Sequence, residues 1–164
     1  DTKIGYFKIE IEEATAPIYF DDHQKLSCIS SAISLIKLLS AEYQKNQFLY
    51  SLIDDFFILL KNDNWIKNYI FWELELLKVV GYELKFESLV DKKIVGNELV
   101  YFSKSTTDKK KVPNFLIDKT SDIESISSLV EGLKIIGNYL DKTILKPNNL
   151  NHPFSRSQFI NTFR

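Results

Sequence analysis

Residues 65–81 read Trp65-Ile66-Lys67-Asn68-Tyr69-Ile70-Phe71-Trp72-Glu73-Leu74-Glu75-Leu76-Leu77-Lys78-Val79-Val80-Gly81. On a helix over 65–80, Ile66, Tyr69, Ile70, Trp72, Leu74, Leu76, Leu77 and Val80 leave little polar circumference. A helix apolar on most sides belongs at the centre of a bundle. Gly81 stands where a left-handed residue closes a helix. Asn62-Asp63-Asn64 precedes the segment, and Asp63 or Asn64 is the expected N-cap. The fold class is therefore expected to be mainly α, a helical bundle around this segment.

Upstream, residues 47–61 carry Phe48, Leu49, Leu52, Ile53, Phe56, Phe57 and Leu60 at helical spacing. Before them, Asp21 or Asp22 starts a helix whose stripe is Leu26, Ile29, Ala32, Ile33, Ile36 and Leu39. Residues 4–13 differ: Phe7, Ile9 and Ile11 alternate with Lys8, Glu10 and Glu12, the period of a half-buried strand. A lone strand is not stable. It is expected to pair with sequence upstream or to pack on the helices. Ala16-Pro17 closes it. The chain starts at Asp1 and holds no Met, so its first residues are read as the end of something longer.

Downstream, the pattern changes over residues 82–115. Short β-like pieces at 84–86 and 98–102 flank the turn pair Gly96-Asn97, and a polar run ends in Lys109-Lys110-Lys111. This reads as a hairpin insert. Helix returns over 122–144 through Ile123, Ile126, Leu129, Val130, Leu133, Ile136 and Leu140, with Ser121 and Glu124 as an expected capping box. Pro147 ends it. A last short helix spans 155–162 beside Phe154, Phe159, Ile160 and Phe163.

Composition narrows the chemistry. The 164 residues are 45% hydrophobic, with 21 basic and 22 acidic side chains, 5 Gly and 4 Pro, which is ordinary for a globular domain. One cysteine, Cys28, excludes a disulfide framework, and His23 and His152 stand alone, so no metal spacing exists. Cys28 lies on an apolar stripe and reads as a small core residue. No apolar run reaches the roughly 18–20 residues of a membrane span. No basic-plus-apolar leader opens the chain, so a cytoplasmic protein is expected. There is no phosphate loop and no nucleophile elbow, which argues against an enzyme, and no cofactor is expected. Glu73 and Glu75 stand in the most apolar helix, as an exposed edge, a satisfied buried contact or, in an enzyme, a catalytic acid.

Residues 1–81 carry net charge −4 and residues 82–164 net +3. Two features of the basic half suit anions. Lys109, Lys110 and Lys111, with Lys92, Lys93 and Lys104, are either phosphate contacts or a solvated hairpin tip. Arg156, one of two arginines beside 19 lysines, sits at the first turn of the last helix, where an anion is favoured; otherwise it is an ordinary surface residue.

The run Trp72-Glu73-Leu74-Glu75-Leu76-Leu77-Lys78-Val79-Val80-Gly81-Tyr82-Glu83-Leu84 resembles the bacterial recombination mediator family RecO, in which an aromatic-Glu-Leu-x-Leu-Leu helix ends in Leu-Gly-Tyr. The surroundings are similar in order: a strand like residues 4–13, an Asp-Asp helix start, Tyr101-Phe102-Ser103 after the insert, and Phe154-Ser155-Arg156-Ser157-Gln158-Phe159 near the end. The likeness covers essentially the whole chain. It implies that residues 1–20 are the last strand and linker of an incomplete OB-fold and 21–164 a helical domain. Residues 82–115 would then be the counterpart of a zinc finger. The chain departs from many members there: Leu89-Val90-Asp91-Lys92 and Lys111-Val112-Pro113-Asn114 stand where those carry Cys-x-x-Cys pairs, which implies a zinc-free version.

The resemblance also implies function: binding single- and double-stranded DNA, annealing, and helping to load the recombinase at the nucleoid. The implied partners are RecR and the acidic, Phe-ended tail of single-stranded DNA-binding protein. A terminal Phe needs an apolar pocket and its carboxylate a cation, so Phe71, Leu74, Lys78, Arg156 and Phe159 are the expected tail site. Phe71 departs from a basic family position nearby. DNA contacts are expected at Lys92, Lys93, Lys104, Lys109, Lys110 and Lys111. Two rivals stand beside this reading: a helical interaction module without a nucleic-acid role, and an enzyme built on Glu73 or Glu75.

Overall fold

The computed structural model describes residues 10, 14–40, 45–96, 98–104 and 109–163. The expected strand over 4–13 lies outside the described residues, apart from Glu10. The described chain is a mainly helical bundle carrying a three-stranded antiparallel sheet.

After a single 3-10 turn at Ala16–Tyr19 comes α1, His23–Leu39. Asp22 caps it by accepting from the Lys25 N–H at 3.0 Å. Its buried face is Cys28, Ile29, Ser31, Ala32 and Leu35. The expected stripe is corrected here: Ile33 is 44% exposed, and Ile36 and Leu39 are half-buried. The face turned because Ser31 is accommodated inside, its hydroxyl 2.9 Å from the Tyr69 hydroxyl.

Helix α2, Gln47–Leu59, is capped by Asn46, which accepts from the Leu49 N–H at 3.0 Å. It buries Leu52, Phe56 and Leu59, whereas Phe48, in its first turn, is exposed. The central helix α3, Trp65–Val79, buries Trp65, Tyr69, Ile70, Trp72, Glu73, Leu76 and Leu77. Gly81 closes it at φ +91°, with Gly81 N–H donating to the Lys78 carbonyl and Tyr82 N–H to that of Leu77. That pair of bonds is a Schellman motif, and the positive φ is the reason glycine stands there.

The insert is built differently from the expected strands. Residues 84 and 85 are irregular and Phe86–Leu89 form one short helical turn, α4. The strands are β1, Val90–Val95, β2, Glu98–Ser103, and the short β3, Lys111–Val112, in that order across the sheet. Register runs from Val90 opposite Ser103 to Val95 opposite Glu98, and Tyr101 faces Val112. Val90, Tyr101 and Val112 are buried on the inner face and join the main core. Leu84 and Phe86 point inward like strand residues but do so from a loop and a helical turn, so their alternation misled.

Helix α5 runs Ile126–Leu140, and its cap is Ser125, not Ser121. Ser125 and Ser128 exchange side-chain and backbone bonds at 3.2 and 3.3 Å. Ser121 is held instead in a turn by the Asp118 carbonyl, and Glu124 pairs with Lys111 at 2.8 Å. Past Leu140 the chain makes a π-helical turn, Asp141–Leu145, then a 3-10 turn, Lys146–Asn148, and Asn149 reverses it at φ +54°. The last helix, α6, is Phe154–Asn161; it buries Arg156 and Phe159 and leaves Phe154 exposed. It packs along α1, while α3 packs against α2 and α5. Tyr69 stacks on Trp72 at 5.7 Å and meets Phe159 edge-on at 5.2 Å. Among the described residues no helix is long and apolar enough to cross a membrane.

Candidate partner and nucleic-acid interfaces

The structure separates the five residues expected to receive a partner tail. Arg156 and Phe159 lie in the core, at 3% and 0% exposure. The Arg156 guanidinium grips Glu73 with two bonds, Nε to Oε1 at 3.1 Å and Nη2 to Oε2 at 2.7 Å, and donates from Nη2 to the Leu133 carbonyl at 2.8 Å. Burial works against its charge, but the Glu73 carboxylate outweighs that and holds its pKa above the ordinary value. Gly137 permits the fit, since a Cβ there would stand 2.7 Å from Nη1. The anion Arg156 binds is therefore an internal one, and Phe159 is core. Both are corrected as partner contacts.

The two glutamates of the enzyme reading are both engaged in ion pairs. Glu73 is a satisfied buried carboxylate, and Glu75 is a surface residue 3.2 Å from Lys78. Cys28 and Tyr69 have raised pKa values because they are buried, with the Glu73 charge adding to the effect. A thiol held protonated in the core is a poor nucleophile. His152, 3.8 Å from Asp141, has its pKa lowered, first by burial and then by Arg156. Among the described residues no three His, Cys, Asp or Glu side chains cluster as a metal site would require.

Phe71, Leu74 and Lys78 do come together. They line a groove of about 230 Å³ between α3, the 83–87 segment and Leu116, Ile117 and Lys119, whose charged residues are Lys78, Lys85 and Lys119 and the acids Glu75, Glu83 and Glu87. Phe71 meets Phe115 edge-on at 6.2 Å. The Lys119 ammonium lies 5.3 Å from the Phe71 ring centroid. Lys67 fixes the segment that carries it, donating to the Lys119 and Ser121 carbonyls at 2.9 Å each. Lys78 and Lys85 are each paired with a neighbouring glutamate at 3.2 Å, whereas Lys119 has no ion pair among the described residues. Sequence reasoning missed Lys119 because it sits in a polar turn with no periodicity to mark it.

The expected DNA lysines divide between two faces of the sheet. Lys92 lies opposite Tyr101 and shares its face; Lys93, one residue on, points the other way, 5.9 Å from the Phe102 ring centroid. Lys111, opposite Phe102, is tied to Glu124. Lys109 is exposed just before β3. Lys104 donates to the Ser88 carbonyl at 2.8 Å, and Lys104 and Lys110 line a cleft of about 540 Å³ between the sheet and α5. Leu84 and Phe86 line both this cleft and the Phe71 groove, so the two lie back to back.

The described residues form a helical bundle with a small three-stranded sheet inserted between α4 and α5, with open grooves beside the sheet and beside α3. Residues 21–114 match the profile described as Recombination protein O C terminal, and the chain belongs to that family, RecO. It is similar to the DNA repair protein RecO of Rhodospirillum centenum, 24% identical over 99% of this chain and 70% of that protein. It also resembles the protein of the same name from Wolbachia sp. subsp. Drosophila simulans, at 25% over 94% of this chain and 72% of that one. The Rickettsia bellii protein is 34% identical over 51% of this chain and 34% of its own. No solved structure matches the chain.

The insert does not fit zinc. Residues 82–115 contain no cysteine and no histidine; the sheet is held by its hydrogen-bond ladder and by packing of Phe86, Val90, Tyr101 and Val112 into the core.

Proposed function

We propose that this chain is a DNA repair protein of the recombination-mediator type, working by binding DNA and a partner's tail rather than by catalysis. Family membership supports the class. The reading of the site rests on one observation: Phe71, Leu74 and Lys119, which has no ion pair among the described residues, share one groove. The groove has an apolar floor and a charged rim in which Glu75 and Glu83 are paired with Lys78 and Lys85, Glu87 is a further acid, and Lys119 is the cation left to meet a carboxylate while a ring packs on Phe71 and Leu74. In this reading the groove takes the acidic, Phe-ended tail of single-stranded DNA-binding protein, with Lys119 in the role first expected of Arg156. The hairpin lysines contact DNA phosphates without reading sequence. Annealing and recombinase loading follow from holding both at once. RecR, the other partner the family implies, is assigned no surface here. Residues 1–20 are proposed to belong to an OB-fold and 21–164 to the helical domain, in line with a family match that starts at Asp21. The proposed location is the nucleoid within the cytoplasm.

A net charge of −1 favours one rival, an interaction module that binds no nucleic acid. Fluorescence anisotropy decides between them, using a labelled tail peptide with and without its last Phe and a labelled oligonucleotide. The expected result is saturable peptide binding that needs the Phe and falls about ten-fold or more with Lys119→Glu. Peptide binding that ignores both changes overturns the groove assignment. Absence of oligonucleotide binding at any salt leaves the interaction module.

A further inference from the structure

Two of the three guanidinium nitrogens of Arg156 are committed inside the core, Nε and Nη2 to Glu73 and Nη2 also to the Leu133 carbonyl. The third, Nη1, donates to no acceptor among the described residues. Arg156 is only 3% exposed, yet it forms the back of a pocket of about 240 Å³ between α5 and the start of α6. Gly137 lines the same pocket, and Nη1 is the guanidinium atom closest to it, 2.7 Å from where a Cβ would lie. The guanidinium therefore turns its unused edge toward the opening. A buried cationic donor without an acceptor is unfavourable, so that edge calls for an anion.

The other walls supply further donors. Lys134 and Asn138 stand four residues apart on α5, Ser157 follows Arg156 on α6, and His152 comes from the loop between the two helices. No acid is among the described residues that line the pocket. Lys134 has no ion pair among the described residues. Asp141, 3.8 Å from His152, is already held by Lys146 at 2.6 Å.

Donors arriving from two helices and a loop suit an anion whose oxygens point in several directions. A carboxylate offers two oxygens in one plane and pairs best with the fork of an arginine, and Glu73 already fills that fork. A tetrahedral oxyanion offers four. Nη1 lies at the back of a small opening, which a free ion can enter; a backbone phosphodiester carries a sugar on each side.

We propose that this pocket binds a free tetrahedral oxyanion of the inorganic phosphate class, held by Nη1 of Arg156 with Lys134, Asn138 and Ser157. The site stands apart from the DNA and tail readings above. The ion touches both helices, so only the folded chain binds it, and it fastens the first turn of α6 to α5. It is also felt at His152. Burial and then Arg156 lower the pKa of that imidazole, while Asp141 and Glu73 raise it, and Lys134 shares its pocket. An added dianion favours the imidazolium, so occupancy moves this pKa upward.

The test is a thermal melt of the full chain in inorganic phosphate against chloride at matched ionic strength. Phosphate at about ten times its Kd is expected to raise the melting temperature by about 3–6 °C, with saturation. Acetate is expected to give much less. Lys134→Ala with Ser157→Ala, both exposed positions, is expected to melt like the unaltered chain in chloride and to lose most of the phosphate response. Histidine NMR in sulfate, which keeps its charge across the histidine range, is expected to show the His152 pKa moving up, with His23 as internal reference. A rise that never saturates and survives in the double variant is a general salt effect and overturns the site. An equal response to acetate, or a His152 pKa that sulfate leaves in place, overturns the ligand class. If the double variant instead weakens a labelled oligonucleotide, the pocket belongs to a nucleic-acid surface and the free ion is overturned. Saturable phosphate stabilisation in a chain that binds no oligonucleotide upholds this site while the DNA reading falls.

Discussion

The pairing of Glu73 with Arg156 dominates at the scale of single residues. Removing one member of a buried pair strands the other's charge, so Arg156→Ala is expected to cost about 3–5 kcal/mol in a urea melt. Arg156→Lys keeps the charge but loses the two-pronged grip and is expected to recover little of it. Replacing both members with apolar residues of similar size, Glu73→Leu with Arg156→Met, is expected to bring stability back toward the starting value. Both residues stood out in the sequence, one as a rare arginine and one as an acid in an apolar helix. Their partnership did not, because 83 residues separate them and no periodicity spans that distance. Each was therefore read alone, and Arg156 was read as facing outward. Lys119 shows the opposite failure: nothing local marks a lysine in a turn, and only the fold brings it over Phe71.

Among the elements, α5 gives the sharpest check, because two serines compete to begin it. The structure assigns the cap to Ser125, so Ser125→Ala is expected to cost about 1 kcal/mol in thermal or urea melts, and Ser121→Ala close to nothing. The sequence pattern at Ser121 and Glu124 imitates a capping box, but Asp118 gathers Ser121 into its own turn and Lys111 draws Glu124 away. Helix α3 is legible from its apolar density and from Gly81, whereas Asn64, at its N-cap position, makes no side-chain capping bond. The hairpin was legible through Gly96, which takes φ +64°, while the strand before it was placed some six residues early. Leu84 and Phe86 are buried by a loop and a helical turn, and alternation alone does not distinguish that from a strand.

For the whole molecule, α6 closes the bundle. It lies along α1, where Ser34 and Ser155 hydroxyls meet at 2.7 Å, and it sends Phe159 against Trp65 and Tyr69. A chain ending at Asn151 is expected to lose the near-ultraviolet circular dichroism of its tryptophans and to melt without cooperativity, because it lacks both that ring and the partner of Glu73. Synthesis meets the same problem in passing. Glu73 is made 83 residues before Arg156, roughly 4–17 seconds earlier at about 5–20 residues per second. Through that interval the growing chain holds a half-assembled core around a bare carboxylate. The ribosome thus sets the earliest moment at which this domain can close, and a pause in translation before Arg156 lengthens the time its apolar faces stay open to other chains.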